Sequence, residues 1–221
     1  MNILALETAT DACSVALLTA NGVCEEHVVA PRRHTELLFA MIDRVLAQAG
    51  INRRALDLIA FGRGPGAFTG VRIAAAAAQG IAAAHDLPLA PVSTLAALAV
   101  GGARCFGAAR IVAAIDARRG EIYAGGWRFE GSDPIGTCLF ADTLQAPAAL
   151  VLPDAAAWLA VGNAWSAYAT AFSPALAAMA RADLPYPHAR DVARIGADMH
   201  ARGTTVAVAD ALPIYLRGAL D

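Results

Sequence analysis

The sequence contains no lysine, and all 17 of its basic residues are arginines. A phosphate-binding loop of the Walker type, a Schiff-base enzyme and a protein kinase each depend on a lysine amine. The chain therefore lacks the residue that these three chemistries require. Together with the abundance of alanine, this absence indicates the base composition of a genome rather than a function.

Cysteine and histidine are also scarce. The four cysteines, which form no CxxC pair, are Cys13, Cys24, Cys105 and Cys138. Such spacing predicts reduced thiols instead of disulfides or a zinc site. The five histidines include no pair at i, i+4 and no HExxH motif, and the chain has no GxSxG. The sequence therefore offers no residues for a protease or esterase and predicts no metal site.

Charged residues make up only 16% of the chain, with a net charge of −2. Phosphate contacts need a concentrated basic face, so this balance argues against nucleic acid binding by the chain alone. The most apolar window, residues 73–84, is interrupted by Gln79 and is shorter than the ~20 residues that span a bilayer. The first residues also lack the basic start of a signal peptide. We expect a cytoplasmic protein without membrane contact.

The apolar periodicity of the first hundred residues predicts the order β-β-β-α-β-α-β-α. Three antiparallel strands followed by β-α-β crossovers are typical of ribonuclease-H-like and actin-like domains of the α/β class. We predict an N-terminal subdomain over residues 1–100, completed by the segment 204–221, and a smaller subdomain over residues 101–203. The second subdomain is expected to be a degenerate copy of the β-β-β-α-β-α design. The sequence pattern of residues 130–160 predicts no secondary structure.

A glycine-rich loop follows the predicted strand 56–61 and leads into the next predicted helix. A strand, a glycine loop and a helix N-terminus in succession can hold an anion. Gly64 and Gly66, with Thr8 and Thr10 in the first hairpin turn, are therefore candidates to bind ATP or ADP. The alternative is that these residues serve only tight turns and local hydrogen bonds. The sequence leaves both interpretations open.

Six segments in order resemble the bacterial TsaB (YeaZ) family and cover nearly the full chain. They are residues 4–17, 34–35, 62–73, 92–95, 115–123 and 213–217. The resemblance implies an actin-like (ASKHA) fold and a role in forming threonylcarbamoyladenosine beside the anticodon of tRNAs that read ANN codons. It implies a TsaD-like transferase and a TsaE-like ATPase as partners, with a TsaC-like protein supplying threonylcarbamoyl-adenylate. Contact with tRNA is expected only through the complex.

The metal-binding positions of the related transferases are changed in this chain. Those paralogues carry an HxxxH motif at the start of the helix after the Pro-Val strand end, where this chain has Thr94 and Leu98. Neither side chain can replace imidazole on iron or zinc. The resemblance therefore implies a non-catalytic scaffold without a metal or cofactor of its own. A weak nucleotide-binding ATPase or kinase is the alternative, and a glycoprotease-like metallopeptidase is the least favoured function.

Two predicted helices, residues 34–49 and 71–85, carry the candidate partner surface. The first has a wide apolar stripe. The second carries small side chains on nearly every side, which suits close packing against a partner helix. Alternatively, the chain's own sheet covers both stripes. We assign eight residues to an interface with a TsaD-like transferase, or to a homodimer of the chain alone: Leu38, Met41, Ile42, Val45, Arg72, Ala75, Ala76 and Gln79.

Overall fold

The computed structural model describes residues 1–131 and 133–217 and builds them around two β-sheets. The strands of the first sheet are β1 (Ile3–Glu7), β2 (Ala12–Thr19), β3 (Gly22–Val29), β4 (Leu58–Gly62) and β5 (Leu89–Val92). They lie in the order β3-β2-β1-β4-β5. The first three strands pair antiparallel, and β4 and β5 continue the sheet in parallel from β1.

The second sheet repeats this plan with fewer strands. Its members are β6 (Arg110–Arg118), β7 (Glu121–Arg128), β8 (Thr137–Gln145) and β9 (Leu159–Val161), in the order β8-β7-β6-β9. Three antiparallel strands are again followed by one that pairs in parallel with the first of them. Among the described residues this sheet has no counterpart of β5. The predicted actin-like α/β fold with a smaller second unit is confirmed.

Helices separate and flank the two sheets. They are α1 (His34–Ala49), α2 (Phe68–His85), α3 (Thr94–Phe106), α4 (Ala164–Ala167), α5 (Pro174–Ala177) and α6 (Ala189–Ala201). Helices α1 and α2 cover one face of the first sheet, and α6 covers the other. Helix α3 packs between α6 and the second sheet, while α4 and α5 lie on that sheet's far face.

The first sheet is buried on both faces, and its residues differ in size between them. Leu4 and Leu6 of β1 point towards α1 and α2, whereas Ala5 points towards α6. The small residues on that second face allow α6 to lie close to the strands. A Cβ at Gly196 of α6 would come within 2.7 Å of the Ala60 Cβ, so only glycine fits this crossing without a shift.

Helices α3 and α6 each pack on the sheet of the other half. Helix α6 lies within the predicted subdomain 101–203 but contacts the first sheet, and α3 extends beyond residue 100 onto the second sheet. Because both helices cross between the halves in this way, the packing does not define where one subdomain ends, and the predicted boundaries stay predictions. Residues 218–221 of the predicted C-terminal segment lie outside the described residues.

Two further observations concern the membrane and thiol expectations. In the part of the chain that the structure describes, no helix is both long enough and apolar enough to cross a membrane. All four cysteines lie in that part and are free thiols.

Candidate functional site

A cleft of about 480 Å³ lies where the two halves meet. Its walls come from the β1–β2 turn, the start of α2, the end of β6 and the C-terminal segment 213–217. The charged residues that line it are Asp11, Arg72, Asp116, Arg118 and Arg217. The cleft therefore combines three guanidinium groups with two carboxylates.

The two threonines of the β1–β2 turn already have partners within the chain. Thr8 is fully buried, and its hydroxyl donates a hydrogen bond to the Gly70 carbonyl oxygen at 2.7 Å. Thr10 is 8% exposed, and its hydroxyl oxygen accepts a hydrogen bond from the Ala12 amide at 3.4 Å. Thr10 lines the cleft and Thr8 does not. Thr8 therefore ties the turn to α2.

The glycine loop packs directly against the β1–β2 turn. A Cβ at Gly66 would lie 2.3 Å from the Ala9 carbonyl oxygen, and the Ala67 amide donates to that oxygen at 2.7 Å. Gly64 has a φ of +99°, which glycine adopts without strain. These glycines are thus accounted for by contacts within the chain. ATP or ADP binding stays a prediction for Thr8, Thr10, Gly64 and Gly66.

Glu7 is a fully buried carboxyl group at the end of β1. Burial raises its pKa to about 7, although hydrogen bonds from the Ala9 amide at 2.7 Å and the Thr94 hydroxyl at 3.1 Å act in the opposite direction. A Cβ at Gly62 would lie 2.0 Å from a carboxyl oxygen of Glu7, so this glycine makes room for the side chain. Glu7 joins β1 to the start of α3 and does not line the cleft.

The β6–β7 turn contributes to the other side of the cleft. Arg119 and Gly120 form its two-residue loop, with φ values of 58° and 81°. Arg118 beside them has a φ of 65°, and a left-handed conformation costs a non-glycine residue roughly 1 kcal/mol. The Arg118 guanidinium lies 3.0 Å from the Asp116 carboxylate and 3.8 Å from that of Asp11. It therefore links the first turns of the two halves.

Two exposed aromatic rings and a guanidinium form a cluster on the α2 side of the cleft. Arg72 Cζ lies 3.4 Å from the ring centroid of Phe68 and 5.3 Å from that of Tyr215. Phe68 is 60% exposed and Tyr215 is 47% exposed. Arg72 is a predicted interface residue, but sequence reasoning missed the two rings. We call these three residues the Arg72 cluster.

The C-terminal segment that carries Tyr215 is fixed at both ends. The Ile214 amide donates to the Arg63 carbonyl oxygen of the glycine loop at 2.8 Å. Arg217 pairs with Glu121 at the start of β7. Leu216 packs against the core of the second sheet. The segment thus spans the two halves and places Tyr215 beside α2.

Four predicted interface residues on α1 lie in the protein's own core. The exposed fraction of their side chains is at most 1% for Leu38, Met41, Ile42 and Val45. They pack in one cluster with residues of the first sheet and α2. Their assignment to a partner surface is wrong, because the sheet covers the apolar stripe of α1. An aspartate at Met41 or Val45 would therefore test folding and not association.

The predicted interface residues on α2 divide between core and surface. Ala75 is buried, and the half-buried Gln79 side chain donates hydrogen bonds to carbonyl oxygens of the segment after α6. Arg72 and Ala76 are exposed. With Gly80 they follow a spacing of four residues along the outer face of the helix. These exposed positions stay a candidate partner surface.

Thr94 and Leu98, where the family resemblance places the metal ligands of the transferases, have other contacts here. The Thr94 hydroxyl donates to Glu7, and Leu98 is buried against the second sheet. Among residues 1–131 and 133–217, no group of three histidine, cysteine, aspartate or glutamate side chains could hold a metal ion.

Three comparisons with known proteins match most of the chain to the same group of tRNA-modification proteins. The family model for TsaD, tRNA N6-adenosine threonylcarbamoyltransferase, matches residues 21–212. The chain is 38% identical to the tRNA threonylcarbamoyladenosine biosynthesis protein TsaB of Escherichia coli (strain K12), over 98% of this chain and 95% of that protein. The solved structure of YeaZ from Pseudomonas aeruginosa is 40% identical, covers 97% of this chain and 99% of its own, and superposes with a TM-score of 0.91. The chain belongs to the TsaB (YeaZ) family of tRNA threonylcarbamoyladenosine biosynthesis proteins.

Proposed function

We propose that this chain is a non-catalytic partner of a TsaD-like transferase in forming threonylcarbamoyladenosine in tRNAs that read ANN codons. The supporting observation is the likeness to TsaB over 98% of the chain, combined with Thr94 and Leu98 where the family resemblance places the transferase metal ligands. Since neither side chain binds a metal in the way imidazole does, the transfer step falls to the partner. A TsaE-like ATPase, indirect contact with tRNA and a cytoplasmic location belong to the same proposal.

The outer face formed by α1 and α2 is the surface that suits such a partner. On α2 the exposed residues include Ala76, Gly80 and Ala83, whose small size permits a partner helix to approach closely. On α1 the Phe39 ring is 53% exposed beside Ala40. An exposed ring next to small side chains offers an apolar contact with room around it. In the chain alone, the same face would form an isologous homodimer.

Gly80→Arg is expected to abolish association with the transferase while leaving the chain folded. Apart from the neighbouring backbone of its own helix, a Cβ at Gly80 would have nothing within 4 Å, so the new side chain points into open space. It would then occupy the volume that a partner helix needs. Sedimentation velocity of the chain mixed with the TsaD-like transferase of the same organism measures the effect. The wild-type mixture should give a one-to-one species that the variant mixture lacks.

A matched control places the same side chain elsewhere on the surface. Ala201→Arg adds an arginine at the exposed end of α6, on the opposite face of the first sheet, and should leave the one-to-one species intact. If the wild type associates with the transferase and Gly80→Arg associates equally well, this surface is rejected. Failure of the wild type to associate at micromolar concentrations would reject the partner role itself.

Weak nucleotide binding is the second candidate function. The cleft supports it, since about 480 Å³ lies beside the start of α2 and the Arg118 guanidinium. The packing of the glycine loop against the chain's own turn argues against it. Calorimetric titration with ATP and with ADP, each with magnesium, distinguishes the two functions. The absence of a binding heat at millimolar nucleotide would remove the candidate.

A further inference from the structure

We propose that Arg72 binds a carboxylate of the transferase partner and that the rings of Phe68 and Tyr215 hold it in position for this contact. The inference rests on the proposed function and adds the chemistry of one contact on the partner. It assigns the C-terminal segment, through Tyr215, to the interaction surface. The partner is thus expected to present an acidic side chain opposite the first turns of α2.

Among the described charged residues that line the cleft, Arg72 is the cation without a counterion. Arg118 lies next to two carboxylates, and Arg217 pairs with Glu121. Among the described residues, Arg72 has no carboxylate within ion-pair distance, and its contacts are with the two rings. The helix dipole adds positive potential at the start of α2, and Ala67 at the N-cap has no side-chain acceptor to offset it. An acidic group is therefore the complement of this surface.

The geometry of the Arg72 cluster prepares the guanidinium for a carboxylate. Stacking on a ring uses the face of the guanidinium and leaves its N–H edge available. That edge can bind both oxygens of a carboxylate, and prior ordering by the rings reduces the entropy lost on binding. Arginine and tyrosine are also enriched among the residues that dominate binding energy at protein interfaces. The cluster has the composition of such an anchor.

The position of Arg72 favours a protein carboxylate over a nucleic acid phosphate. Arg72, Ala76 and Gly80 lie along one exposed stripe of α2, and small side chains suit a packed helix. A phosphate backbone would require several unpaired cations side by side. The other two arginines of the cleft are already paired with carboxylates of this chain. We therefore assign the contact to the protein partner on the proposed α1–α2 face.

The test measures the dissociation constant for the full chain with the TsaD-like transferase by isothermal titration calorimetry. Arg72→Glu should weaken binding at least tenfold, because it places two acidic groups against each other. The matched control is Arg54→Glu, the same charge reversal at an exposed position in the short turn Arg53–Ala55, and it should bind as the wild type does. Thermal unfolding of each variant shows that it is folded.

Two more variants separate the ionic contact from simple packing. Arg72→Met keeps most of the bulk but loses the charge, so its binding should depend less on ionic strength than that of the wild type. Tyr215→Ala removes one ring and should weaken binding several-fold.

The outcomes distinguish this inference from the proposed function. Wild-type affinity in Arg72→Glu, or an equal salt dependence in Arg72→Met, would overturn the carboxylate contact and leave the partner role standing. Wild-type affinity in Tyr215→Ala would overturn the inclusion of the C-terminal segment. If the wild type does not bind the transferase, the proposed function and this inference are both rejected.

Discussion

Gly70→Ala should lower the free energy of unfolding by about 3 kcal/mol, the upper part of the usual range for overpacking. A Cβ at Gly70 would lie 2.0 Å from the Thr8 carbonyl oxygen, a distance that forces the backbone to move. Movement is costly because the Thr8 hydroxyl binds the Gly70 carbonyl oxygen and so fixes the turn against α2. Urea unfolding of wild type and variant measures the difference.

Gly80→Ala is the matched control, since it makes the same change in the same helix. A Cβ there has open space around it, and alanine is favoured over glycine inside a helix. This variant should raise the free energy of unfolding by about 0.5–1 kcal/mol. The two alanine substitutions are thus expected to change the free energy of unfolding in opposite directions. A neutral Gly70→Ala would show that the β1–β2 turn can move away from α2, and the close packing of α2 on that turn would then be wrong.

Strongly periodic segments were predictable from the sequence. The bounds predicted for α1 are those observed, and Gly50 ends the helix with a φ of +65°. The last strand of the predicted order β-β-β-α-β-α-β-α is β5, and Ser93 caps α3 by accepting a hydrogen bond from the Ala96 amide at 3.1 Å. In each case the signal is local, because the apolar spacing and the capping residue lie within a few positions of each other.

Strand β8 shows where local signals fail. It lies in residues 130–160, which had no predicted secondary structure, and it forms an edge of the second sheet. Only one side of an edge strand is paired, and β8 alternates poorly between apolar and polar residues. Its pairing with β7 also shifts register in two places. The strand is therefore stabilised by contacts with β7 more than by its own pattern.

The candidate site could be predicted only in part, because local patterns do not report tertiary contacts there either. An apolar stripe such as that of Leu38 and Met41 has the same spacing whether a sheet or a partner covers it, so the sequence could not distinguish these cases. The Arg72 cluster joins α2 to Tyr215 near the other end of the chain, and no local pattern reports such a contact. Only the tertiary structure separates the buried residues of these helices from the exposed ones.

Glu7→Gln should make the protein more stable than the wild type above neutral pH, by up to about 3 kcal/mol. Burial raises the Glu7 pKa from 4.5 to about 7, so the folded protein holds a proton there that the unfolded chain releases near pH 4.5. Each pH unit of such a difference corresponds to about 1.4 kcal/mol. The contribution of Glu7 to stability is therefore full below pH 4.5, decreases as the pH rises towards 7, and then stays low.

Glutamine keeps the shape of the side chain but does not titrate. Its oxygen can accept the Ala9 amide, and its amide nitrogen can donate to the Thr94 hydroxyl oxygen in place of the present bond. Urea unfolding of both proteins from pH 4.5 to 8 should give a stability difference that grows in favour of the variant until about pH 7. Taking the difference cancels the contributions of other titrating groups, such as His27, whose pKa is lowered by burial.

The exposed carboxyl of Glu36 provides the comparison for Glu7. Glu36 pairs with Arg33 at the surface, where an ion pair contributes little to stability, so Glu36→Gln should follow the wild-type pH dependence. If Glu7→Gln also runs parallel to the wild type, Glu7 is ionised in the folded protein at neutral pH. The hydrogen bonds from Ala9 and Thr94 would then compensate the cost of burying its charge. A difference that grows only for Glu7→Gln instead assigns the pH dependence to the buried link between β1 and α3.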